Sequence, residues 1–117
     1  MYNHPMIESL RHALRGFHWL ISNQRNFRIH LAISLFVLVL AFILRVTKVE
    51  FAILIFCIIL GLAIEMINSA FEEIADLITI KWAKQAKIAK DVTSSMMLFA
   101  SFGLFLIGLI IFLPYIF

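Results

Sequence analysis

From Phe51 to Ile64 the chain carries no polar side chain, and Glu65, Asn68, Glu72 and Asp76 then follow in one helical register. An apolar run must be buried in protein or in lipid, and composition decides between them. The 117 residues are 63% hydrophobic with a mean hydropathy of +1.02. A soluble domain runs at about 45–50% apolar. That excess implies a small integral membrane protein, and a chain this short has no room for a soluble domain of ordinary size beside it.

The rest of the chain follows that frame. Residues 5–22 place Met6, Leu10, Leu14, Phe17 and Ile21 at helical spacing, while Glu8, Arg11, His12 and Arg15 lie mostly off that stripe. Pro5 suits a first helical turn. The segment is too charged to cross a bilayer, so it is expected to lie in the interface plane. Those same charges interrupt any uniform apolar core of a cleaved signal peptide. Three spans are expected at about 29–46, 51–78 (continuing beyond the lipid as helix) and 92–113, with Pro114 and Tyr115 ending the last one. Arg45 to Glu50 forms the turn between the first two. The expected fold is an all-α membrane protein, a single domain over 1–117 with one amphipathic surface helix and three transmembrane helices.

Charge sets the topology. Arg11, Arg15, Arg25, Arg28, Lys81, Lys84, Lys87 and Lys90 fall on one side, and only Arg45 and Lys48 on the other. Cytoplasmic loops carry the excess of Lys and Arg. The expectation is therefore a multi-pass protein of the inner, cytoplasmic membrane, with its amino terminus in the cytoplasm and its carboxyl terminus outside. The net charge of +3 is spread between apolar segments and reads as a topology signal, not as a nucleic-acid face. The single cysteine, Cys57, excludes an intrachain disulfide.

The acidic strip carries the functional argument. Its members fall within roughly 80° of one another on a helix. Counting from Phe51, Glu65 lies about 21 Å along the helix and Glu72 about 31 Å, near the far edge of a slab about 30 Å thick. Ionisable groups at such depth are costly and point to function. A carboxylate at the interface with lysines nearby suits a magnesium–nucleotide complex, because Mg²⁺ is held by one or two carboxylates plus substrate phosphates. A deeper carboxylate suits proton abstraction from a lipid hydroxyl. The bland alternatives are a solvated helix end, with Glu72, Glu73 and Asp76 pairing Lys81 and Lys84, and polar residues that join helices to one another. No GxxxxGK[ST] or GxGxxG loop is present, so a P-loop or protein-kinase type is excluded. His4, His12, His18 and His30 show no zinc-like spacing.

At these residues the sequence resembles the prokaryotic diacylglycerol kinase family, which includes the undecaprenol kinases. The matching pattern is Glu65-Met-Ile-Asn68-Ser69-Ala70-Phe-Glu72-Glu-Ile-Ala-Asp76, followed by Ala89-Lys90-Asp91. It is preceded by Ala13-Leu-Arg-Gly16 and by Asn23-Gln-Arg-Asn26-Phe-Arg28-Ile-His30, and the resemblance covers nearly the whole chain. It implies an ATP-dependent lipid kinase that works as a homotrimer with sites shared between subunits. Glu65 matches the catalytic base and Glu72 a ligand of the Mg²⁺ that accompanies ATP. Lys90 and Asp91 match nucleotide-contacting residues, Asn68 and Asp76 polar positions lining the site, and Ser94 a position near the lipid. Two positions depart from the family. Gln24 stands where a second metal-binding carboxylate is found, so the metal is held more weakly unless Glu73 or Asp76 turns in. His12 stands where an aromatic residue often lies near the nucleotide. The run ending in Arg28 and His30 looks like the undecaprenol branch, whose members carry histidine at the position of His30, and makes both residues substrate-side candidates. Undecaprenol is the preferred acceptor and diacylglycerol the next. A weakly active relative and a small proton-coupled transporter subunit are the competing classes.

Overall fold

The computed structural model describes residues 5–78 and 83–117. The described residues form four helices: α1 (Pro5–Asn23), α2 (Arg25–Leu44), α3 (Lys48–Ile78) and α4 (Ala83–Ile116). The last three are long and apolar enough to cross a membrane. Lys81 of the expected basic flank, and His4, lie outside the described residues.

Helix α1 runs one residue past the segment read at 5–22, and the join to α2 is tighter than the spacing implied. One residue, Gln24, separates the two, with φ −113° and ψ 106°. Its extended backbone redirects the chain without a loop. Two side chains then donate to carbonyls in the last turns of α1. Asn23 Nδ2 donates to the Trp19 carbonyl (3.0 Å) and Arg28 Nη1 to the Ile21 carbonyl (2.7 Å). A cation at a helix carboxyl end also meets the favourable end of the dipole. Phe27 is fully buried and meets Phe17 of α1 edge-on, with ring centroids 5.5 Å apart. Edge-to-face geometry suits the ring quadrupoles. No residue of α1 is itself buried, and Met6, Ile7, Leu10 and Leu14 remain exposed, as an interfacial stripe requires.

The turn between α2 and α3 is shorter than expected. Arg45 adopts left-handed backbone (φ 56°), and its N–H and that of Val46 donate back to Phe42 and Ala41. This pairing closes α2 in the Schellman manner. Helix α3 then begins at Lys48, because Thr47 and Glu50 form a capping box. The Thr47 N–H donates to Glu50 Oε1 (3.0 Å) and the Glu50 N–H donates to Thr47 Oγ1 (3.2 Å). Lys48 to Glu50 are therefore helix and not turn.

The last helix also corrects the expectation. It runs through Pro114 to Ile116, and the Phe117 N–H still donates to the Leu113 carbonyl (2.9 Å). Proline costs the helix only one hydrogen bond, and so close to the end there is little helix left to break.

Helix α3 is central, packed on α4 along most of its length and on α2 along part of it. The molecule measures 54 × 44 × 21 Å, a single layer of helices. The apolar core sits at the end marked by the α2–α3 turn and comprises Ala41, Leu54, Ile111 and Phe112. Tyr115 of α4 donates its hydroxyl to Glu50 of α3 there.

Candidate functional site

The buried face of α3 is one stripe: Leu54, Cys57, Gly61, Glu65, Asn68, Ser69 and Ala75. Its chemistry changes at Glu65. Below that point the stripe is apolar, and above it polar groups are buried against the neighbouring helices.

Glu65 is 3% exposed, and His30 Nε2 of α2 lies 3.8 Å from its Oε1. Helices α2 and α3 run antiparallel, so this contact joins the start of one to the middle of the other. Glu72 follows seven residues later on the same face. Asn68 and Ser69 are buried between them, and neither Asn68 Oδ1 nor Ser69 Oγ has a hydrogen-bond partner among the described residues. Buried polar atoms are nearly always satisfied, so these two leave room for a donor from outside the chain.

Asp76 closes the stripe with an ion pair across to α4, Lys90 Nζ lying 3.1 Å from its Oδ1. This is a different partner from the lysines expected for an ordinary solvated helix end. Beside Lys90, Thr93 is buried and donates to the Lys90 carbonyl (3.0 Å), while Ser94 is exposed.

The structure therefore brings Glu65, His30, Glu72, Asn68, Asp76 and Lys90 along one end of the α2–α3–α4 layer. Other candidates have local partners. His12 lies 3.6 Å from Glu8 one turn away on α1, and Asp91 lies 3.2 Å from Lys87. Arg28 holds the end of α1. Gln24 is half-buried at the α1–α2 joint. It precedes His30 by about 9 Å of helix rise, and Glu72 follows Glu65 by about 10 Å, so the two sit at similar depth beyond the His30–Glu65 contact. Ser69 and Thr93 were not singled out by sequence; the adjacency of Ser69 to Asn68 was the available signal.

Among the described residues no group of three or more His, Cys, Asp or Glu side chains comes together to hold a metal ion. A closed protein cage is thus not formed among them. A carboxylate from Glu72 and an amide oxygen from Gln24 are hard donors, and this sparse set fits a cation that keeps water and phosphate ligands.

An apolar groove of about 530 Å³ runs along the junction of α2, α3 and α4, from His30 at one end to Ile116 at the other. Cys57 and Gly61 line its floor on α3.

The model of the family described as prokaryotic diacylglycerol kinase matches residues 11–112, which span the whole of this arrangement. The chain belongs to that family. An undecaprenol kinase of Bacillus subtilis is 37% identical over 108 residues, 92% of this chain and 87% of the relative. A diacylglycerol kinase of Synechocystis is 31% identical over 110 residues, 93% of this chain and 63% of the relative. A diacylglycerol kinase of Haemophilus influenzae is 30% identical over 90 residues, 77% and 76% respectively. The protein is accordingly a multi-pass membrane lipid kinase, a phosphotransferase that uses ATP. This excludes the transporter reading. The kinase carries a buried acid, Glu65, and an ion-paired acid, Asp76, on a single helix, α3.

Proposed function

We propose that the kinase phosphorylates the hydroxyl of undecaprenol, with Glu65 as the catalytic base. The observation that carries this reading is the buried Glu65, held 3.8 Å from His30 at the inner end of the apolar groove. A lipid alcohol lying in the groove would bring its head to that pair. The lining on α4 extends from Ser101 to Ile116, about 22 Å of helix rise, which exceeds the half-thickness of a slab about 30 Å thick. A long single chain suits that length, and the undecaprenol kinase of Bacillus subtilis supports the same acceptor.

The chain's own groups act as follows. The Glu65 carboxylate takes the hydroxyl proton as the lipid oxygen forms its bond to the γ-phosphorus of ATP. The bond from that phosphorus to the β–γ bridging oxygen breaks, and ADP leaves. His30 orients the carboxylate. Asn68 offers its amide to the reacting groups, and Asp76 holds the Lys90 ammonium near the site, where it balances phosphate charge. Asp91, His12 and Arg28 contribute to the nucleotide and lipid sides once the site is complete, with Ser94 near the lipid. Glu72 and Gln24 would hold Mg²⁺, which when bound neutralises charge on the transferring phosphate. A layer 21 Å thick leaves this site open on one side, which supports a homotrimer with shared sites. The basic residues on the Glu72 side support an inner-membrane protein with a cytoplasmic amino terminus and a carboxyl terminus outside.

The test is purified kinase in mixed micelles with labelled ATP, Mg²⁺ and either undecaprenol or diacylglycerol. Label entering undecaprenol at the higher kcat/KM is expected. Two relatives carry the name diacylglycerol kinase, so label entering diacylglycerol preferentially reassigns the acceptor. Gln24→Glu adds a charged donor and is expected to lower the Mg²⁺ concentration needed for half-maximal rate. An unchanged requirement would place Gln24 outside the metal's ligands.

A further inference from the structure

The opposite end of the bundle holds a second feature, which phosphoryl transfer does not use. A cleft of about 580 Å³ opens between the ends of α2 and α3, with Phe42, Val46, Phe51 and Ile55 as apolar wall and Arg45 and Lys48 at its rim. Phe42 is 81% exposed, so the wall is open to whatever surrounds the protein.

The two cations are not ion-paired among the described residues, and a single acid stands near them. Glu50 is the only Asp or Glu between Leu31 and Ile64, and α4 has none beyond Asp91. Glu50 is already engaged, its Oε1 accepting from the Tyr115 hydroxyl and from the Thr47 N–H. Neither Arg45 nor Lys48 makes an ion pair among the described residues. The amino end of α3, a helix of 31 residues, adds positive potential at the same place.

Apolar wall below and unpaired cations above match one kind of occupant. We infer that this cleft binds a phospholipid with a net negative headgroup, its phosphate between Arg45 and Lys48 and an acyl chain along Phe42 and Ile55. The lipid belongs to the leaflet opposite the acidic stripe. Basic residues at a membrane surface attract anionic lipids, and they do so within a Debye length. The inference stands whichever alcohol the kinase phosphorylates.

The experiment places a reporter in the wall. Phe42→Trp is made in a background of Trp19→Phe and Trp82→Phe, so that the only tryptophan lies at the cleft. The protein is reconstituted in phosphatidylcholine vesicles holding a fixed fraction of either brominated phosphatidylglycerol or brominated phosphatidylcholine. Quenching by the anionic lipid should show a preference above about fivefold, the factor that one cation near a membrane surface supplies. Arg45→Gln/Lys48→Gln should bring the preference to one. Lys48→Gln alone, which leaves the left-handed turn at Arg45 untouched, should lower it part of the way. Equal quenching by the two lipids in the parent, or a preference that survives the loss of Lys48 and of both cations, would overturn the assignment. Retained kinase turnover shows that each variant is folded.

Discussion

The two ends of this layer are built on opposite rules. At the end of the α2–α3 turn, Ala41, Leu54, Ile111 and Phe112 pack together, and the polar groups Thr47, Glu50 and Tyr115 satisfy one another. At the other end, Glu65, Asn68 and Ser69 are buried with two of their polar atoms unpartnered among the described residues. A buried polar atom without a partner is destabilising, and natural chains break that rule mainly where they act. The comparison separates an end that holds the helices together from an end that is kept ready for a ligand. It yields different expectations for substitutions on one face of one helix.

Glu65→Gln carries the largest expected effect. It keeps the shape of the side chain and removes the base, so turnover should fall by about 10²–10⁴-fold, the range for general-base catalysis. Helix content and the thermal midpoint in detergent should change little. A variant with near-parental turnover would mean that the inner stripe serves packing, like the outer one. Leu54→Ala, three turns away on the same stripe, should do the reverse. It opens a cavity among Ala41, Ile111 and Phe112 and should lower stability by about 2 kcal/mol, the low end for such truncations. The low end is expected because lipid is as apolar as leucine, which leaves lost packing as the cost. Turnover measured well below the new midpoint should be retained. Equal losses of turnover in both variants would dissolve the distinction between the ends.

Much of this contrast is legible in the residues themselves. The order of one surface helix and three spans follows from hydropathy and charge, and the acids Glu65, Glu72 and Asp76, at offsets of seven and eleven residues, predict a shared face. Structure keeps two of them buried or half-buried and ties a third to Lys90. The start of α3 was readable too, because Thr47 and Glu50 stand at capping-box spacing, yet a hydropathy boundary at Phe51 hides it. Other features have no periodic signature. Arg28 reaches the Ile21 carbonyl across a one-residue joint, and Tyr115 meets Glu50 across 65 positions of sequence. The His30–Glu65 contact and the groove beside it depend on how three helices pack, and packing of apolar faces is set by shape and not by spacing.

Ser69→Ala tests the inner end more gently. The hydroxyl is 1% exposed as a residue and lacks a partner among the described residues. If the oxygen stays unpartnered in the assembled protein, its removal should raise stability by about 1 kcal/mol. If a ligand donates to it, stability of the unliganded protein should still rise while the KM for ATP or for lipid worsens. Calorimetry in detergent and steady-state kinetics read the two quantities separately. A loss of stability would show that Ser69 belongs to the packing of α3 or of the subunits, and would move the border between the two ends inward.

Gly61→Ala probes that border and has the smallest expected effect. Gly61 lies one helical turn before Glu65, on the floor of the groove, where α3 and α4 approach closely. An added Cβ would meet Leu104 Cδ1 at 3.0 Å. That atom is the tip of a flexible side chain, so a few tenths of an ångström of movement relieves the contact. Alanine also gains about 1 kcal/mol over glycine in a helix interior. The two contributions oppose each other, and the midpoint should shift by less than about 1 kcal/mol either way. Turnover should stay above half the parental value if the spacing of α3 and α4 at Gly61 is independent of the position of Glu65. A severalfold loss of turnover at unchanged stability would mean that this close approach sets where the carboxylate sits, and that the packed end reaches into the site through Leu104.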